Sequence, residues 1–199
     1  AGQLAATAGS MMSNLVAAGI NPKAIDTILV SHFHPDHING IKTKDGRMVF
    51  PDAEIKVPAP EWTYWMDEVT PTTVPEAARG VLLNAGRIFA DLRKEVTQFA
   101  PGSEVAPGIT SIAAYGHTPG HVAYAVASGD SSMMVLCDTT NHPWLFVRHP
   151  DWQPIFDMDG PLAAAFRRRM LDRVAADRML VQGYHFPFPA IGHIAKSAS

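Results

Sequence analysis

Four side chains able to bind a metal stand within six residues, His32-x-His34-x-Asp36-His37, directly after the apolar run Thr27-Ile28-Leu29-Val30. That run is short and β-branched, which suits a buried strand. The cluster therefore falls on the loop at a strand's end, where sites are commonly built. Alternate residues of an extended chain project to one side, so positions 32 and 34 share a face. Positions 36 and 37 can then aim at a neighbouring point. Imidazole and carboxylate together suit zinc and similar borderline cations, and two metals roughly 3.5–4 Å apart fit such a double site.

Three later residues have the same placement. His117 lies in Gly116-His117-Thr118-Pro119-Gly120-His121, where the glycines permit close backbone approach. Asp138 follows the apolar run Met133 to Cys137, and His185 follows Met179 to Gln182 and Gly183. Ligands at the ends of several strands converge on one sheet edge, as a shared metal site requires.

The pattern elsewhere gives the frame. Helices are expected over residues 5–18, 61–67, 75–96 and 161–177, and strands over 27–30, 54–57, 109–114, 121–128, 132–137 and 179–182. Ser128-Gly129-Asp130 between two apolar runs signals a hairpin. This mixed order points to an α/β sandwich with helices outside the sheets, and 199 residues without a linker or repeat suit a single domain over 1–199. A net charge of −3, with no basic block beyond Arg167-Arg168-Arg169, gives no sign of a nucleic-acid partner. Those arginines read as a solvated helix face. No apolar run approaches the ~18 residues of a membrane span. Cys137 is the only cysteine, so no intrachain disulfide can form, and it reads as a small buried strand residue. The chain opens on Ala1-Gly2-Gln3 without Met or signal peptide, which looks like the interior of a longer protein and leaves its localisation, cytoplasmic, periplasmic or secreted, unknown.

These motifs resemble the metallo-β-lactamase superfamily of hydrolases. The His-x-His-x-Asp-His motif, the Gly-His-Thr-Pro-Gly-His segment, the Asp after a strand and the final His follow one another at intervals of 80, 21 and 47 residues counted from His37. Together they span nearly the whole chain from Asn14 to Ile194. The Gly183-Tyr184-His185-Phe186-Pro187-Phe188-Pro189 segment is most similar to the methyl parathion hydrolase-like branch, with the quorum-quenching lactonases as neighbours. The resemblance implies an αββα sandwich, here expected without the family's N-terminal strands. It also implies a two-metal site: His32, His34 and His117 at the first ion, Asp36, His37 and His185 at the second, and Asp138 bridging both. His121 fits the motif as a residue that orients a ligand or its loop rather than as a ligand.

Such a site implies a hydroxide bridging two divalent ions, most naturally zinc, that attacks an ester-type bond in a phosphotriester, lactone or carboxylic ester. Asp36 and Asp138 are the catalytic candidates, with Asp36 a possible proton carrier to the leaving group. Trp65, Asn141 and His142 are the substrate-binding candidates, although Trp62, Tyr64 and Trp65 also suit helix-core packing. His149 reads as a surface histidine. The lactonases often carry a Tyr just after the bridging Asp, where Thr139, Thr140, Asn141 and His142 stand here, and this weighs against a lactonase. Position 34 is His where diiron relatives have Glu, which disfavours redox chemistry. Two alternatives stay open: a metal-binding but inactive fragment, and a nuclease of the same superfamily. The expected partner is a small-molecule ester, lactone or organophosphate rather than nucleic acid or membrane. A sheet left uncovered by missing strands would also favour self-association, such as a homodimer.

Overall fold

The computed structural model describes residues 9–66 and 76–196. Two sheets form the centre. The smaller is parallel, in the order β1 (Thr27–Leu29), β2 (Glu54–Pro58), β3 (Thr97–Phe99). The larger has six strands in sequence order: β4 (Glu104–Ala106), β5 (Ile109–Ala113), β6 (Val122–Ser128), β7 (Ser131–Val135), β8 (Leu180–Gln182) and β9 (Ile191–His193). All its pairings are antiparallel except β7 with β8, which are joined by a helical crossover.

Side-chain alternation divides the core into layers. Along β6, Val122 and Tyr124 face an inter-sheet core with Phe99, Val105 and Leu29, while Ala123 faces the opposite side with Met134 and Val181. That opposite side is covered by the long helix Gly160–Ala176, whose Met170 and Val174 pack on it. The outer face of the small sheet, through Ile55 and Val57, packs on two helices, Ala59–Met66 and Arg79–Phe89. The layers are therefore helix, sheet, sheet, helix, as expected. Two hydrogen bonds join the sheets beside the first motif: the Tyr124 hydroxyl donates to the Val30 carbonyl at 2.7 Å, and the Val122 N–H to the Ser31 carbonyl at 3.2 Å.

The helices are named here α1 (Met11–Ala17), α2 (Pro35–Ile38), α3 (Ala59–Met66), α4 (Arg79–Phe89) and α5 (Gly160–Ala176). The expected first helix begins at Met11 among the described residues, its positions 5–8 lying outside them, as do Asp67 and position 75 at the ends of two further expected helices. The helix expected over 75–96 is shorter than its periodicity suggested. It ends at Phe89, and the chain folds back through Leu92 so that Thr97–Phe99 can add to β2. The hairpin is as expected, with Ser128 paired to Ser131 across Gly129 and Asp130, and Gly129 at φ +56°. Cys137 is not a strand residue: β7 stops at Val135, and Cys137 opens a single 3-10 turn with φ +48°. Among the described residues no helix is long and apolar enough to cross a membrane.

Candidate metal centre

The first motif is shaped by alternation and then by a single helical turn. Phe33 is fully buried, stacked on Phe89 at 4.6 Å and edge-on to Trp62 at 6.2 Å. Burying a side chain of this size contributes about 1.5–3 kcal/mol, and it pins the loop so that His32 and His34 turn to the other side. His34 is still extended, and Pro35 opens α2, for which its fixed φ is suited. The turn then carries Asp36 and His37 round to a neighbouring point.

Two glycines fix the second loop between helices. A Cβ on Gly116 would stand 2.2 Å from the Ala163 nitrogen of α5, and one on Gly120 would stand 2.1 Å from the Glu61 nitrogen of α3. No other residue fits either place without moving a helix. Between them His117 is held with Nε2 toward the site. His121, fully buried, donates from Nδ1 to the Ala114 carbonyl at 2.8 Å and accepts at Nε2 from the Asp138 N–H at 3.2 Å. It therefore orients the backbone of a candidate ligand. The left-handed conformation of Cys137, uncommon for a residue with a Cβ and costing on the order of 1 kcal/mol, turns the chain so that Asp138 enters the site.

The donor atoms form two groups. His32, His34, His117 and Asp138 make one, and Asp36, His37 and His185 the other, with the offered atoms of each group lying within 4.8 Å of one another. His34 Nδ1 is 3.1 Å from His32 Nε2 and 2.9 Å from His117 Nε2. The remaining nitrogens of two of these rings are committed elsewhere, His32 Nδ1 to the Ser31 hydroxyl at 3.1 Å and His117 Nδ1 to Asp157 at 2.9 Å. Three ring nitrogens converging this way cannot all be satisfied by shared protons, whereas a cation satisfies all three. Asp138 joins the groups: Oδ1 is 3.2 Å from His37 Nε2, and Oδ2 is 3.2 Å from His117 Nε2 and 3.3 Å from His185 Nε2. Asp36 Oδ2 lies 3.3 Å from His185 Nε2 and 3.4 Å from His37 Nε2. His37 Nε2 and Asp138 Oδ1 are buried without a hydrogen-bond partner. Buried polar atoms rarely stay unpaired, so these residues fit divalent ions well.

Electrostatics agree with that fit. Burial, with neighbouring His117 adding to it, takes His34 down to about 4 and His121 to about 3, so both are neutral at pH 7. Burial opposes ionisation of Asp138, but the close imidazoles of His117, His185 and His37 outweigh it and hold the carboxyl well below its usual range. Asp36 is likewise lowered, by His185 and His37 against burial. Conversely, hydrogen bonds to Asp138 and Asp157 outweigh burial and lift His117 to about 9, and bonds to Asp138 and Asp36 lift His185 to about 10.

The second sphere departs from the sequence reading. Arg167, expected on a solvated face, is fully buried. Its guanidinium donates to the carbonyls of Thr139 (2.8 Å), Pro150 (3.0 Å) and Trp152 (2.7 Å) and to Asp157 Oδ2 (2.9 Å). Asp157, which no sequence signal singles out, accepts from His117 with its other oxygen. Trp65, expected to meet substrate, is a core residue: it is 1% exposed, and its indole N–H donates to Glu61 Oε1 at 2.6 Å. Asn141 stands beside the centre and donates to Asp138 Oδ2 at 3.0 Å. Asn141 Oδ1, His142 Nδ1 and the hydroxyls of Thr139 and Thr140 are buried without partners. His149 stacks on Trp152 at the surface. A groove of about 420 Å³, lined by Trp144, Phe186 and Phe188 among others, adjoins in sequence both His142 and His185.

Comparison with known proteins places this geometry. The family model of the metallo-beta-lactamase superfamily matches residues 3–181. No protein of curated function shows a significant sequence match. Among solved structures, the hydrolase AbOPH of the beta lactamase superfamily is similar, with TM-score 0.88 and 29% identity over 95% of this chain and 66% of that one. AidC, described as a dizinc quorum-quenching lactonase, gives TM-score 0.86 and 26% identity over 96% of this chain and 67% of that one. A probable metal-dependent hydrolase from Staphylococcus aureus has the same fold, with TM-score 0.76 and 19% identity over 99% of this chain and 73% of that one. The chain thus spans 66% of the length of AbOPH.

Proposed function

The chain belongs to the metallo-beta-lactamase superfamily, and we propose that it is a binuclear metal-dependent hydrolase of ester-type bonds, in a phosphotriester, lactone or carboxylic ester. The observation that carries this reading is the sharing of Asp138 between two groups of donors. His32, His34 and His117 would hold one ion and Asp36, His37 and His185 the other; the mixture of imidazole and carboxylate favours zinc. Bound there, two such ions would lower the pKa of water towards ~7 and polarise the carbonyl or phosphoryl oxygen of the ester.

The chain's own residues prepare the site. Asn141 and the backbone bond to His121 hold Asp138 in one orientation. Asp157 accepts the Nδ1 proton of His117, which fixes the tautomer and leaves Nε2 free as a donor. Against burial, His185 and His37 hold Asp36 below the usual carboxylate range, so it stands as an ionised candidate ligand at neutral pH. Asn141 bonds to Asp138 Oδ2 and, with its neighbour His142, is only partly buried, so these two are the candidates to meet a polar substrate. AbOPH is titled a hydrolase and AidC a lactonase, and both support the hydrolytic reading.

The test is hydrolysis by zinc-loaded protein of aryl esters, lactones and phosphotriesters, with and without chelator. Chelator-sensitive turnover of one class is expected. Absence of turnover on all three, with metal bound, removes the reading and leaves a metal-binding chain without activity.

A further inference from the structure

Glu61 sits on α3, belongs to neither group of metal-donor residues, and is fully buried. Its carboxylate accepts four hydrogen bonds. Oε1 receives the Phe33 N–H at 2.9 Å and the Trp65 indole N–H at 2.6 Å; Oε2 receives the Thr118 hydroxyl at 2.8 Å and the Gly120 N–H at 2.9 Å. Phe33 lies between His32 and His34, and Thr118 adjoins His117. One carboxylate therefore bridges, one oxygen to each, the two loops that supply the three histidines of the first group, His34 and His117 lying 83 residues apart in sequence.

A residue serving only to fill space here would be apolar. Burying a carboxylate is costly unless its lone pairs are satisfied, and four donors from two loops and one helix do this. Burial still raises its pKa, the four hydrogen bonds offsetting part of that. No cation pairs with Glu61 among the described residues. The 2.1 Å that would separate a Gly120 Cβ from the Glu61 nitrogen shows how closely the second loop is drawn onto α3.

We propose that Glu61 is a positioning residue that sets the spacing between the His32–His34 and His117 loops and so determines the affinity of the first metal group. The proposal rests on the two-metal reading given above. It assigns α3 a role in the site through hydrogen bonding, whereas the sequence suggested an aromatic one.

Cobalt(II) titration of the full chain, followed by its visible absorption, tests this. Glu61→Gln places an amide NH2 against donors that need an acceptor. It is expected to weaken one cobalt equivalent about 10–100-fold, the range for residues that support metal ligands, and to shift that ion's absorption bands, with the other equivalent unchanged. Thr118→Val, which removes one donor at nearly constant volume, serves if Glu61→Gln does not fold; it is expected to weaken the same equivalent, and Thr118→Ser to restore it. Two equivalents bound as in the wild type by both Glu61→Gln and Thr118→Val would overturn the proposal, as would equal weakening of both ions. Because the readout is metal binding, failure of the hydrolytic reading would show instead as an inactive two-metal protein.

Discussion

His117 and Asp157 meet at 2.9 Å, Nδ1 to Oδ1, across 40 residues of sequence, and through Asp157 the metal centre is tied to Arg167 in the middle of α5. The Asp157 and Arg167 side chains are both fully buried. Removing one member of a buried pair leaves an uncompensated charge and costs about 3–5 kcal/mol. Arg167→Met is therefore expected to lower the unfolding free energy by that much, read as a lower denaturant midpoint at unchanged slope. Asp157→Asn is expected to weaken the ion held by His117 about 10–100-fold, measured by metal titration. An Arg167→Met loss below about 1 kcal/mol would mean that the arginine is solvated in solution.

Metal stoichiometry separates the two groups. His34 belongs only to the buried group and His185 only to the more open one, where its side chain is 38% exposed. Elemental analysis of zinc-supplied protein is expected to give near two metals per chain, falling to near one in His34→Ala and in His185→Ala. Asp138→Asn should affect both, since Asp138 faces His37, His117 and His185 together. Unchanged content in all three variants would sink the assignment.

The part of this centre legible in sequence was the part written locally. His32, His34, Asp36 and His37 fall within six residues, so strand alternation and one proline-initiated turn suffice to group them. His117, Asp138 and His185 were legible as residues following apolar runs. The supporting charges were not, because their burial depends on distant packing. Arg167 stood in a run of three arginines that resembles a solvated face, yet it shares a helical stripe with Ala163, Met170 and Val174, all buried. That 3–4 residue spacing was the available signal. Arg168, one position on, is 54% exposed. Glu61 similarly occupies the inward face that Trp65 shares one turn later. The strands β3, β4 and β9 have three residues each, too few for a period-2 pattern to register.

Metal binding should release protons. In the metal-free chain His117 is lifted to about 9 and His185 to about 10, so both are protonated at pH 7.5. A bound cation needs neutral imidazole, and these protons must leave. Since the raised values lie above the working pH, affinity is expected to increase as pH rises from 7 towards 9. Calorimetry in two buffers of different ionisation enthalpy should show at least two protons released for two metals bound, with any metal-bound water that ionises adding to that number. Release of none at pH 7.5 would mean that the carboxylates do not hold those rings charged.

Two glycine substitutions distinguish close packing from backbone strain. Gly129 has φ +56° in the β6–β7 hairpin and open space around it, so Gly129→Ala incurs only the left-handed penalty, on the order of 1 kcal/mol. Gly120 abuts the backbone of Glu61, and a methyl there must push the 116–121 loop from α3. Overpacking of this kind costs about 1–3 kcal/mol, and it also displaces the loop that carries His117. Gly120→Ala is therefore expected to lose both stability and metal, whereas Gly129→Ala should lose a similar increment of stability and retain both metals. Thermal denaturation with and without zinc makes the comparison: zinc should raise the midpoint of Gly129→Ala as it does the wild type, and that of Gly120→Ala by distinctly less. Equal zinc stabilisation of the two variants would show that the loop's seat on α3 is not what sets the site.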